Sequence, residues 1–187
     1  MKPFRKTKNT NIYAFIDSQN LNMGTQKMGW KMDWRRFRQM LRDKYGVTKA
    51  YMFIGHMPEY EDLYNYMHEL GFLVVLKPTL ETAKQKDPKE AGSKDQPGPA
   101  PKGNVDADLV LWVMKEMPNY QKAIVVSGDG DFYGLYEHLV ERGKLLHIMA
   151  PNWQYSSLLK PFDKYIVRLD QMRRDLAYHD RKNRSKK

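Results

Sequence analysis

Two carboxylates and a serine share one glycine-rich turn, Ser127-Gly128-Asp129-Gly130-Asp131-Phe132, directly behind the apolar run Ala123-Ile124-Val125-Val126. Two further acids stand far from it in sequence. Asp17 closes the β-rich run 11–16 and precedes Ser18-Gln19-Asn20, and Asp106 lies within Gly103-Asn104-Val105-Asp106-Ala107-Asp108. Carboxylates brought close together cannot all stay ionised unpaired, and a hard divalent cation with oxygen ligands is the usual remedy. Such an ion acidifies a bound water and relieves charge on phosphoryl oxygens, which is what phosphodiester hydrolysis needs. Each acid also has a plainer explanation. Asp106, Asp129 or Asp131 could cap helices, and Asp108 would favour a helix N-terminus.

The elements that must position these residues alternate in type. Strand-like runs are predicted at 11–16, 49–54, 72–76, 123–126 and 145–149, with an edge strand at 165–169. Helical spacing is predicted at 33–45, 59–70 and 133–142, and in a third helix opened by 103–108 with Leu109, Val110, Val113 and Met117 facing inward. A short helix is expected near 156–159 and a last, charged one from about Asp170. Ser18-Gln19-Asn20 reads as a loop, 21–32 has no clear period, and the glycines of the 127–132 turn would let the backbone bend sharply. Five lysines and four prolines within 79–102 predict a long mobile loop inserted in the domain. The alternation implies an α/β fold with a mainly parallel sheet and helices on both faces. In the doubly wound arrangement strands one and four are neighbours and strand order reverses between them. Asp17, Asp129 and Asp131 then meet at one crevice, with Asp106 entering from the same edge.

The 187 residues contain no cysteine, which excludes disulfides and thiolate metal sites. No apolar run approaches the ~20 residues of a membrane span. The basic N-terminus lacks the apolar segment of a secretory signal, so a cytoplasmic protein without membrane contact is expected. The net charge of +10 is uneven. Residues 1–8 carry Lys2, Arg5, Lys6 and Lys8 and no acid, and 173–187 carry seven basic residues against Asp175 and Asp180. The body between is nearly neutral, so the excess suits either solubility or salt-sensitive attraction to a polyanion. The expected organisation is a basic arm at 1–10, a folded domain at 11–168, and a charged helix with a basic tail at 169–187. Within the helix at 33–45, Trp34, Phe37, Met40 and Leu41 form the buried stripe. The basic residues around them make a wet face, where Arg35 and Arg38 are candidate contacts to a substrate backbone.

Asp17 with Asn20, then Lys102-Gly103-Asn104-Val105-Asp106, then Ser127-Gly128-Asp129-Gly130-Asp131-Phe132, in that order, resemble the NYN domain. More narrowly they are similar to its bacterial LabA/DUF88 branch, within the PIN-like nuclease group. The resemblance covers roughly residues 11–168. It implies a PIN-like three-layer α/β/α sandwich and a ribonuclease dependent on Mg2+ or Mn2+, endonucleolytic, acting on single-stranded or structured RNA. It assigns metal binding to Asp17, Asp106 and Asp129, with Asp131 holding the metal or its waters. Asn20 and Ser127 would orient ligands or substrate, and Lys102 would lie near the scissile phosphate. One position departs from the pattern: many relatives carry another acid further along the helix of Asp106, where this chain has Trp112. Asp108 cannot simply replace it, because at ~3.6 residues per turn it points nearly opposite Asp106.

Trp112 keeps a second reading open, a catalytically weak or inactive module of the same fold that binds RNA or a protein partner in a regulatory role. A homodimer is compatible with either. Other phosphoryl-transfer folds fit less well: a Toprim domain wants glutamate at the end of the first strand, and a haloacid-dehalogenase phosphatase wants Asp-x-Asp where this chain has Asp17-Ser18-Gln19. His56 falls at the correct sheet edge but reads as an ordinary exposed or satisfied histidine. Tyr60, Trp153 and Tyr155 are the best candidates for exposed aromatics that could stack on bases.

Overall fold

The β-branched and aromatic runs assemble, in a computed structural model that describes residues 10–56, 58–77 and 105–179, into one six-stranded sheet. Its strands are β1 (Ile12–Asp17), β2 (Val47–Gly55), β3 (Leu73–Lys77), β4 (Lys122–Val126), β5 (Leu145–Ala150) and β6 (Ile166–Arg168). They lie in the order β3-β2-β1-β4-β5-β6, and every pairing is parallel. Parallel neighbours need long crossovers, and helices supply them. One face carries α1 (Ser18–Lys27), α2 (Trp34–Tyr45) and α3 (Glu61–Glu69); the other carries α4 (Asp106–Glu116) and α5 (Tyr133–Glu141). Strand alternation divides the core accordingly. Tyr13 and Phe15 of β1 pack with Leu109, Val113 and Leu139, while Ala14 and Ile16 pack with Leu21, Phe37 and Met67. The result is the expected three-layer α/β/α sandwich.

Local differences from the sequence reading have physical causes. No loop follows β1. Asp17 accepts the Asn20 N–H at 2.9 Å, and this cap starts α1 at once, so Ser18, Gln19 and Asn20 form its first turn. Strand β3 runs one residue further than expected, which brings Lys77 to the sheet rim. The expected charged helix near Asp170 is short. After a 3-10 turn at Leu169–Met172 and a four-residue α6 (Arg173–Leu176), Ala177 bridges Met32 in antiparallel fashion. Leu169, Leu176 and Ala177 are buried against the α1/α2 face, so the packed body continues to Ala177. Lys102, the arm at 1–9, the loop at 79–102 and the tail at 180–187 lie outside the described residues. No described helix is long and apolar enough to cross a membrane.

Candidate active site

Strand order reverses between β1 and β4, whose register sets Ile16 opposite Val126. The next residues, Asp17 and Ser127, therefore stand side by side at the carboxyl edge, where open α/β sheets bind ligands. Asp17 continues the Tyr13–Phe15 face, so its carboxyl group turns toward α4 and α5. It is only 4% exposed. Its Oδ1 accepts the Asn20 N–H, and its Oδ2 accepts the Ser127 hydroxyl at 3.2 Å. Ser127 Oγ in turn accepts the Asp129 N–H at 3.2 Å, and Asp129 Oδ1 accepts the Asp131 N–H at 3.0 Å. The Gly128 N–H donates to Asn20 Oδ1 at 2.9 Å, tying α1 to the acidic turn. Asp129 thus caps the 3-10 turn Gly130–Phe132 through one oxygen while belonging to the same network as Asp17.

The glycines of this turn serve close packing. Neither Gly128 nor Gly130 has a positive φ. Instead the Ser156 N–H donates to the Gly128 carbonyl at 2.9 Å, a Cβ on Gly130 would collide with Ser156 Oγ, and one on Gly128 would sit 3.1 Å from Tyr155 Cβ. The 155–156 segment lies directly on the turn, and a side chain at Gly130 would lift it off.

The acids are electrostatically one set. Burial pushes the Asp17 carboxyl up to about 6, and the Asp106 and Asp129 carboxylates add to the rise against the Asn20 and Ser127 hydrogen bonds. Asp106, half-buried as the first residue of α4, is raised by burial and then by Asp129 and Asp131, with Lys77 opposing. The N-cap of α4 is Val105, so Asp106 is not the cap that the sequence allowed. The donors are all hard oxygens with excess negative charge, a chemistry that fits a divalent cation. Among the described residues, however, no three such groups already stand as a set able to hold one. The described residues form an acidic rim without a closed cage of ligands.

Two residues here escaped the sequence reading. Tyr136 on α5 is fully buried, its hydroxyl has no hydrogen-bond partner, and its ionisation is suppressed by burial and by the charges of Asp17 and Asp129. Its sequence signal was the helical spacing that turns residue 136 inward, which reads as core until the neighbouring carboxylates are known. Lys77 pairs with Asp108 at 3.2 Å beside Asp106, and it was hidden by ending β3 at Leu76.

Other candidates are placed elsewhere. Arg38 donates to the Gly71 carbonyl at 2.9 Å, ahead of β3 and so at the opposite end of the sheet from the acids. Arg35 is exposed on α2. Trp112 packs on Tyr51 at 5.2 Å between ring centroids, against the core under α4. His56 lies beside Tyr64. Tyr60 and Trp153 are 46% and 58% exposed, and Tyr155 is half-buried.

Comparison with known proteins agrees with this architecture. The model of the NYN domain family matches residues 11–170. The low amplitude and bright protein LabA of Synechococcus elongatus is 29% identical over 142 residues, covering 73% of this chain and 70% of LabA. A 104 kDa microneme/rhoptry antigen of Theileria annulata is 33% identical over 81 residues, which span 43% of this chain but 9% of the antigen. A crystal structure of a protein of unknown function from Vibrio parahaemolyticus superposes with a TM-score of 0.69 over 92% of this chain and 99% of that one. At 21% identity that likeness speaks for the fold alone.

Proposed function

Because the chain belongs to the NYN domain family, a PIN-like nuclease family, we propose that it is a metal-dependent ribonuclease that hydrolyses RNA phosphodiester bonds endonucleolytically. One observation carries the reading. Three separate segments deliver Asp17, Asp106 and Asp129 to a single rim, where burial and mutual repulsion hold Asp17 at about 6. Asp17, Asp106 and Asp129 would hold Mg2+ or Mn2+, with Asp131 on the ion or its waters. When bound, the ion supplies an acidified water and charge relief at the phosphoryl group. The chain's own part is positional. Asn20 and Ser127 fix the Asp17 carboxylate, and the Gly128–Asn20 bond fixes the turn bearing Asp129. The Tyr136 hydroxyl is a buried donor beside these carboxylates, and Lys77 is a cation at the same rim. The test is cleavage of labelled RNA with Mn2+ by the protein and by Asp17→Asn. Cleavage by the former alone supports the reading, and equal cleavage by both attributes the activity to a contaminant.

Trp112 favours a second reading, a module that binds RNA or a protein partner without cutting. Its ring lies on Tyr51 in the α4 layer, so the chain supplies no carboxylate from that position. RNA binding with no cleavage in either Mg2+ or Mn2+ would select this alternative.

A further inference from the structure

Beside the acidic turn, a groove of about 490 Å³ runs between α1 and residues 151–155. Asn20 and Gly128, the pair already joined across the acidic rim, are among its lining residues. Its two sides are tied together. Gly24 sits so close to Pro151 that a Cβ would overlap it, while buried Asn152 donates from Nδ2 to the Gly24 carbonyl at 2.8 Å and accepts the Gln154 N–H at 2.7 Å. Met23, 60% exposed, lines it from α1, and half-buried Tyr155 lines it from the other segment. Lys27 lies seven positions along α1 from Asn20, about 10 Å at 1.5 Å per residue. Among the described residues no acid lines the groove, in contrast to the neighbouring rim.

We propose that this groove seats one unpaired nucleotide next to the scissile phosphate, its base between Met23 and Tyr155 and a neighbouring phosphate at Lys27. The inference deepens the ribonuclease reading and rests on it for the position of the cut. A thioether and a phenol ring offer the sequence-tolerant stacking that single strands use, and amide side chains can meet base edges. A base paired within an A-form duplex is not splayed out and cannot enter such a groove. Its volume of about 490 Å³ lies within the range of small-ligand sites and suits one nucleotide unit.

The test is binding of a short oligoribonucleotide, alone and annealed to its complement, measured by fluorescence anisotropy in EDTA with the full chain. The single strand should bind at least tenfold tighter than the duplex. Tyr155→Ala should weaken it about 5- to 100-fold, the worth of one base stack, while Tyr155→Phe restores it. Because Tyr155 also touches the core, the exposed Met23→Ala is the second variant, expected to weaken binding several-fold without changing thermal stability. Equal affinity for the duplex, or unchanged binding in both alanine variants, overturns the proposal. Cleavage in Mn2+ by variants that bind normally retires the groove and keeps the nuclease, whereas groove-dependent binding without cleavage by the native chain does the reverse.

Discussion

At the scale of single residues, Asp17 sets a cost that can be measured. Its carboxyl group titrates near 6 in the fold against 3.8 as an unperturbed side chain, so between those values the native state holds more protons than the unfolded chain. Stability therefore falls as pH rises from about 4 to about 6, by roughly 3 kcal/mol in the absence of metal, because each tenfold gain in proton affinity on folding is worth about 1.4 kcal/mol. Asp17→Asn keeps the cap acceptor for the Asn20 N–H and removes the charge. In EDTA it should raise the melting temperature above pH 6, and the gain should disappear as pH falls toward 4. A variant equally stabilised at pH 3 and pH 8 would contradict the assignment of that charge. Tyr136→Phe removes only a hydroxyl that has no partner, so its melting temperature in EDTA should stay equal or rise. Cleavage should slow about tenfold if that donor serves the site, the worth of about 1.4 kcal/mol. A native rate in this variant would make Tyr136 plain core.

At the scale of elements, the turn at 127–132 and the segment at 155–158 act as one unit. Gly130→Ala forces a Cβ into Ser156 Oγ and Leu158 Cδ1 and should cost about 1–3 kcal/mol. Gly134→Ala, four residues later on α5 with nothing within 4 Å, should instead stabilise by about 0.5–1 kcal/mol. Urea melts of the two variants check the opposite signs. The sequence marked this turn as special but suggested the wrong reason, since glycines look alike whether they serve a bend or a close approach. Which one applies depends on residues two dozen positions away. The elements themselves were legible where a period was strong, as at β1 and α2. The α1 start was not, because the cap that removes the loop is Asp17 itself, already read as a ligand. The Leu169–Ala177 tether was hidden by its charged neighbours, its few apolar residues being too short a pattern to announce burial.

At the scale of the whole molecule, the doubly wound strand order was readable because parallel strands with helical crossovers leave few topologies, and that order alone brings residues 17 and 127 together. Side-chain reach was beyond sequence: Arg38 and Asp108 found a carbonyl and Lys77 that no local pattern names. The charge is also a whole-molecule property, with the basic excess at the two ends and a nearly neutral body between. Replacing Lys2, Arg5, Lys6 and Lys8 with glutamine should flatten the salt dependence of single-strand binding by up to about 3 in log–log slope, at roughly 0.7 per phosphate. Cleavage at saturating RNA should be unaffected, and an unchanged slope would make the arm a solubility device. One cation shared by acids from three segments underlies the nuclease proposal as a whole. Crystals soaked in Mn2+ and measured at the manganese absorption edge test it most directly. An anomalous peak is expected in contact with the carboxylates of Asp17, Asp106 and Asp129. No peak there at saturating Mn2+, or a peak at a site without Asp17, would contradict it.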